Sequence, residues 1–465
     1  MTQQTPVFDH ALIQRYDRQG PRYTSYPTAV QFTEDFGVPE YRSCVRHTNE
    51  DPIPAPLSLY FHIPFCATVC FYCACNKVVT ANRAHAVRYL ESLYREIECQ
   101  GGLFDRNRPV NQLHWGGGTP TFLDGRQMQE LMEVTRRHFT LLDDDSGEYS
   151  IEIDPRTVDP ERIRLLRDLG FNRLSLGVQD FDTAVQRAVN RVQSEAETLG
   201  IIDAARNTGF RSVSVDLIYG LPAQSVTSFD RTLDRIIAAA PDRLSLFNYA
   251  HMPHLFKTQR QIDERALPPA EVKLQILQQA IGRLTDAGYV YIGMDHFAKP
   301  GDELAVAQRE GKLSRNFQGY ATHGHCDIVG MGVSAISRVG DTYSQNEREL
   351  ARYQQRVDDE GMAVFRGVEL CHDDLLRRAV IMQLICHFEL DTAAIRSRYG
   401  IEFASYFAPE LERLGVMQSD GLLTMDQQGL RVLPRGRLLI RNICMAFDRY
   451  LAADQDSHRR FSKVI

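Results

Sequence analysis

LSLYFHIPFCATVCFYCAC, residues Leu57 to Cys75, is the stretch on which the fold turns. Leu57–Ile63 is apolar and aromatic apart from Ser58 and His62, which predicts a buried strand. Pro64 breaks the run, and four cysteines follow within ten residues: Cys66, Cys70, Cys73 and Cys75. Working outward, similar short β-rich runs predict strands at Gln112–Trp115, Tyr149–Ile153, Arg173–Leu176, Ser212–Ile218, Arg243–Phe247 and Tyr289–Met294. Amphipathic stretches lie between most of them, such as Ala84–Cys99, Gly125–Phe139, Pro160–Leu169 and Glu197–Thr208. Strand–helix alternation implies right-handed crossovers and an α/β fold with a parallel sheet or barrel. Ligands in such folds bind at the carboxyl ends of the strands. Polar residues gather there: Gly116–Thr119, Glu152, Gln179, Asp216 and Tyr249–His251.

The 465 residues, 43% hydrophobic and 24% charged, have a soluble, globular composition. That length allows about two or three domains. The net charge of −7 argues against bulk nucleic-acid binding, while leaving room for a local basic pocket. The first residues show no basic segment followed by an apolar one, so no signal peptide is expected. No Asp, Glu, Lys or Arg occurs from Pro52 to Asn76, a length that could span a bilayer. Pro52, Pro54, Pro56 and Pro64 interrupt it, so the expectation is no membrane span and a cytoplasmic location. Cys44, Cys99, Cys326, Cys371, Cys386 and Cys444 are scattered and read as reduced thiols. Beyond about residue 350 the pattern changes to short helices, at Asp373–Cys386, Asp391–Tyr399 and Phe403–Leu414. A small hairpin, Gly421–Met425 with Gly429–Leu433, and a last helix over Gly436–Tyr450 follow. The expected division is an N-terminal arm (1–50), a catalytic domain (51–350) and a smaller, mainly helical C-terminal domain (351–465).

Three chemistries compete for the crowded loop. A disulfide framework does not suit a reducing compartment. Structural zinc usually takes two separated ligand pairs. An iron–sulfur cluster is large enough for one tight loop to reach several of its irons. Cys66, Cys70 and Cys73 would supply three corners and leave the fourth iron open. The Gly-rich turn Gly116–Thr119 suggests close backbone approach to a ligand, with N–H groups free for a carboxylate. Glu152, an acid inside an apolar strand, reads either as a solvent-facing residue or as an anchor for an ammonium or ribose. Asp216 and Gln179 pose the same choice. His62, His251 and His296 are expected to be structural. The cations and aromatics from Arg15 to Tyr26 read as a docked arm or as a cover for a flat anionic substrate.

The spacing of Cys66, Cys70 and Cys73, CxxxCxxC, resembles that of the radical S-adenosylmethionine (SAM) superfamily. The resemblance implies an incomplete parallel (β/α) barrel and a 4Fe–4S cluster whose open iron is chelated by SAM. Along its whole length the chain resembles one branch, the bacterial oxygen-independent coproporphyrinogen III oxidases. Gly20–Pro27, Tyr60–Cys66, His114–Thr121, Ile151–Arg156, Leu176–Phe181, Asp216–Pro222 and Phe247–Pro253 carry the likeness, as do Gly293–Phe297, Asn316–Tyr320, Gly330–Ser337 and Gly436–Cys444. That branch implies two SAM molecules per chain. Tyr60, Gly117, Glu152 and Ile336 would contact the cluster-bound one. Tyr72, Gly118, Thr119, Gln179, Arg191, Asp216 and Ala250 would contact the second. Tyr72 stands where the family often has Phe. Cys75 matches an extra cysteine needed for activity, and with Glu152 it is the expected catalytic pair. The implied activity is decarboxylation of two propionates of coproporphyrinogen III by a monomer fed by a flavodoxin-type electron donor. A sister branch of heme-chaperone-like proteins shares the triad and the glycines, and offers the alternative of heme binding.

Overall fold

Leu57–Ile63 forms a strand, β1, in the computed structural model, which describes residues 5–426 and 428–453. Leu57, Leu59, Phe61 and Ile63 are fully buried. β1 has a parallel neighbour on each side. On one side β2 (Pro109–Gly117), β3 (Glu148–Ile153), β4 (Arg173–Gln179), β5 (Ser212–Tyr219) and β6 (Arg243–Asn248) follow in chain order, all parallel. On the other side β7 (Asp327–Met331) is parallel to β1, with Gly330 opposite Tyr60. β8 (Ile336–Val339), β9 (Thr342–Asn346) and β10 (Val364–Glu369) continue from β7 as an antiparallel meander.

The crossover helices begin where the sequence caps them. Asp124 and Gln127 make a reciprocal capping box before Gly125–His138, and Ser225 and Ser228 make another before Val226–Ala239. Asp159 caps Pro160–Asp168, with Pro160 at its first position. Each helix buries one face, as Met128, Leu131 and Met132 do in Gly125–His138. The result is the expected α/β fold with parallel strands.

Chain contacts divide the molecule differently from the periodicity reading. One compact unit comprises residues 31–269 and 325–369; the other comprises the described residues of 1–30, 270–324 and 370–465. The expected arm is thus split. Val38–Asn49 is a helix of the first unit, where Tyr41 donates to Gln100 and Thr33 pairs with Gly367 of β10. The segment before it belongs to the second unit: Tyr23 donates to Asp448, and Arg441 donates to the carbonyls of Gly20 and Pro21. Such long-range partners leave no periodic trace in the sequence.

In the second unit Val290–Gly293 is not a crossover strand. It turns through Gly293 and Met294, both at positive φ, and pairs antiparallel with His296–Ala298. Glu389–Asp391 adds a third strand to the predicted hairpin of Leu423–Met425 and Gly429–Val432. The expected helix Phe403–Leu414 breaks at Phe407, after which Pro409 lies in the first turn of Ala408–Ser419. The last expected helix is three pieces: Arg437–Leu439, Ile440–Met445 and Arg449–Ala453.

Candidate functional site

A cavity of about 310 Å³ opens at the carboxyl ends of β2 to β6. Gly117, Glu152, Gln179, Asp216 and Phe247 come from successive strand ends, and the cysteine loop lies over them. The loop is fastened to the first unit before any metal is considered. Phe65–Cys66 forms a two-residue ladder with Val78–Val79. The Phe71 N–H donates to the Val189 carbonyl, Asn190 to that of Val69, Gln259 to that of Tyr72 and Thr258 to that of Cys73. Tyr72 also packs on the apolar cluster of Val185, Val189, Leu221, Tyr249 and Ile262.

All the cysteines of the loop are free thiols, which removes the disulfide reading. Cys66, Cys70, Cys73 and Cys75 all line the cavity. Thr119 donates to Cys66 at 3.5 Å, and Arg191 and Arg156 point at Cys70 at 3.5 and 3.7 Å. Burial pushes the Cys66 thiol up to about 11. The hydrogen bond that Cys75 donates pulls Cys73 down to about 6 and drives Cys75 well above the usual thiol range.

Glu152 accepts from His114 Nε2 at 3.2 Å and from the Gly117 N–H at 3.1 Å. Burial raises its carboxyl, but the His114 hydrogen bond and charge, with the Gly117 N–H, outweigh it and hold it below the usual range. Asp216 differs: burial raises it to about 6, although Ser245 and Ser175 donate to it. The cavity therefore holds two carboxylates kept ionised, Glu152 and the Arg-paired Asp154, and one, Asp216, that keeps its proton in mildly acidic solution. Arg191 is locked by Asp154 at 3.0 Å and by the Gly177 carbonyl at 2.6 Å. Arg156 grips the same Asp154.

The Gly-rich turn works otherwise than expected. Its N–H groups are not free: Gly117 donates to Glu152, Gly118 to the Ile63 carbonyl and Thr119 to the Phe65 carbonyl. The glycines are there for close packing. A Cβ on Gly118 would lie 2.6 Å from the Pro64 carbonyl oxygen, and Gly117, at φ +115°, would meet His62 at 2.8 Å. The turn thus fixes the cysteine loop to β2 and aims Glu152.

Tyr60, Ala250 and Ile336 do not line this cavity, whereas the other expected site residues do. Tyr60 stacks on His114 at 5.7 Å and donates to His62 Nδ1, and His62 Nε2 donates to the Asn76 carbonyl. Ile336 begins β8, where its backbone crowds Gly330, the β7 partner of Tyr60. The Ala250 carbonyl accepts from Gln259. His62 and His251 are satisfied side chains, as expected; His251 accepts from Tyr249 and donates to Glu264. Arg15 and Arg22, in the other unit, are paired with Asp420 and Asp295. Sequence reading gave no roles to Asp154, Arg156 and His114. The turn Asp154-Pro155-Arg156, where Asp154 caps the Arg156 N–H, was the available signal for the first two.

The cavity suits a cluster and a polar, zwitterionic cofactor. Thiols converge on one wall and an ionised carboxylate stands on another. The buried Gln179 Oε1, at a residue held at φ +69°, has no donor among the described residues. An unsatisfied buried acceptor costs about 1–3 kcal/mol, so a ligand N–H or O–H is its natural complement.

The radical SAM superfamily matches residues 60–236, and the HemN C-terminal domain matches residues 370–439. Fold, cysteine loop and match together define a radical SAM enzyme, a class that carries a 4Fe–4S cluster and uses SAM. The oxygen-independent coproporphyrinogen III oxidase of Pseudomonas aeruginosa is 55% identical, covering 98% of this chain and 99% of that protein. That of Escherichia coli is 51% identical over the full length of both. A solved structure described as coproporphyrinogen III oxidase (HemN) from Escherichia coli, a radical SAM enzyme, superposes with a TM-score of 0.91. It is 50% identical and the match covers 96% of this chain and 100% of that one. The chain belongs to the oxygen-independent coproporphyrinogen III oxidase family.

Proposed function

We propose that this chain converts the ring A and ring B propionates of coproporphyrinogen III to vinyl groups, giving protoporphyrinogen IX. The observation that carries the reading is the convergence of Cys66, Cys70 and Cys73 with Glu152, Gln179 and Asp216 in one cavity, in a chain so similar end to end to oxidases of that name. Each propionate would lose a hydrogen atom from its β-carbon, then CO₂ and one electron. Cluster and SAM, when bound, would supply the radical chemistry that an otherwise inert C–H bond requires.

The chain's own residues bind and orient. Cys66, Cys70 and Cys73 would hold the cluster through thiolates. Glu152, kept ionised by His114 and the Gly117 N–H, suits the SAM ammonium. Tyr60, Gly117 and Ile336 would complete that first SAM site. Tyr72, Gly118, Thr119, Gln179, Arg191, Asp216 and Ala250 would form a second. Cys75, beside Cys73 and outside the triad, is free for a role with the substrate. The loop's attachments to Val189, Tyr72 and Cys73 carbonyls exclude slack where a small displacement of the target carbon would cost rate. The reading includes a cytoplasmic monomer served by a flavodoxin-type electron donor, and no described helix is long and apolar enough to cross a membrane.

The test is anaerobic turnover by the reconstituted chain with reductant, an electron acceptor, SAM and coproporphyrinogen III. Protoporphyrin after oxidation, with 5′-deoxyadenosine in matching amounts, is the expected result. 5′-Deoxyadenosine without protoporphyrin would reject the substrate, and heme bound one to one would then favour the carrier alternative.

A further inference from the structure

Lys77 is the first charged residue after Asp51, and it lines the cavity just beyond the cysteine loop. Its side chain folds back over the loop. The ammonium donates to the Cys73 carbonyl at 2.9 Å and lies 3.5 Å from that of Cys75. No carboxylate among the described residues pairs with it. The other charges of the cavity are spoken for. Arg156 and Arg191 share Asp154. Glu152 is held by His114 and Gly117, and Asp216 by serines. An ammonium has three donors, and two backbone carbonyls leave at least one to use. The negative group beside it is the Cys73 sulfur, and no carboxylate of the described residues competes for the ammonium, so a carboxylate entering the cavity finds a cation to meet.

We propose that Lys77 is a carboxylate-binding residue of this cavity. The inference rests on the function proposed above, under which two sources of carboxylate enter: the propionates of the porphyrinogen and the amino-acid end of SAM. Lys77 sits beside Cys75, at the edge of the loop, where either can reach it. A carboxylate there pairs with an ammonium that no carboxylate of the described residues holds, and the Cys73 and Cys75 carbonyls keep it in place. The residue is a binding group; no proton or electron passes through it.

The test uses the cluster-reconstituted chain with Lys77→Gln and Lys77→Arg. The glutamine amide can still donate to the Cys73 carbonyl, so it removes the charge and spares the loop. Two titrations are run. Coproporphyrin III and its tetramethyl ester are followed by fluorescence, and SAM by equilibrium dialysis. Lys77→Gln is expected to weaken one carboxylate ligand about tenfold or more, equivalent to about 1.4 kcal/mol. Lys77→Arg should restore most of it, and the ester should bind both variants as it binds the parent. Weakened coproporphyrin III assigns the propionates; weakened SAM assigns the amino acid. Unchanged affinity for both ligands at full cluster content would overturn the proposal. So would loss of the cluster in Lys77→Gln, which would make Lys77 a strut of the loop. If the parent chain bound SAM but not coproporphyrin III, the substrate reading would fail while the SAM titration still judged Lys77.

Discussion

Glu152 and Asp216 face one cavity from β3 and β5, yet their surroundings push them apart. For Glu152→Ala, the expected outcome is SAM affinity lowered about tenfold or more with the cluster spectrum intact, read by equilibrium dialysis and visible absorbance. Unchanged affinity would remove Glu152 from the site. Asp216 carries the opposite cost. Its folded value of about 6 exceeds the usual carboxyl value, so the folded chain binds the proton more tightly. The stability it contributes is complete below about pH 4 and is lost as pH rises through about 6. Asp216→Asn should therefore stabilise the SAM-free chain near neutral pH, by on the order of 2 kcal/mol, and hardly at all near pH 4. Equal gains in Tm at both pH values would exclude burial as the cause. Ser at Cys66, Cys70 or Cys73 should abolish the cluster absorbance in each case; its survival in all three would refute the ligand set. At this scale the sequence was most legible. Cysteine spacing and an acid within an apolar strand are local signals. The hydrogen bond of Gly117 to Glu152 is not, because it joins residues whose contact exists only in the folded sheet.

Among the elements, Ala84–Gly101 has a task that its amphipathic pattern hides. Glu96, fully buried within it, accepts from the Gly332 N–H at 2.7 Å, Tyr353 at 2.6 Å and Asn346 at 2.6 Å. Tyr89 of the same helix accepts from the Val333 N–H. The helix thereby holds the turn between β7 and β8, which leads to Ile336. Glu96→Ala leaves three buried donors unsatisfied and should cost about 3 kcal/mol or more, measured by urea unfolding. A cost below about 1 kcal/mol would mean that water replaces the carboxylate at no penalty. Strands β1 to β6 and their helices were readable because long apolar runs alternate with capped amphipathic ones. β7 to β10 were missed as strands. They have four to six residues, and Gly332 and Gly340, at positive φ, link three of them through turns too short to leave a pattern.

For the molecule as a whole, the two-SAM expectation has a direct readout. The reconstituted chain should retain about two SAM per cluster at saturation, a count that one occupied site would halve, and Asp216→Ala should lower it toward one. The domain boundaries were the least legible feature. Residues 325–369 join the cysteine-bearing unit through the ladder of β7 on β1, and residues 31–49 through contacts such as Tyr41 with Gln100 and Thr33 with Gly367, which no window of sequence contains. The central position of β1 also has a bearing on biosynthesis. One of its two neighbours, β7, pairs with it through Gly330, roughly 270 residues downstream of Tyr60, a gap that a ribosome takes on the order of 15 to 50 s to translate at about 5–20 residues per second. Throughout that interval the nascent polypeptide displays its cysteine loop beside a sheet with one edge still unwritten. Synthesis is thus the stage at which dissolved oxygen has its freest access to the four thiols.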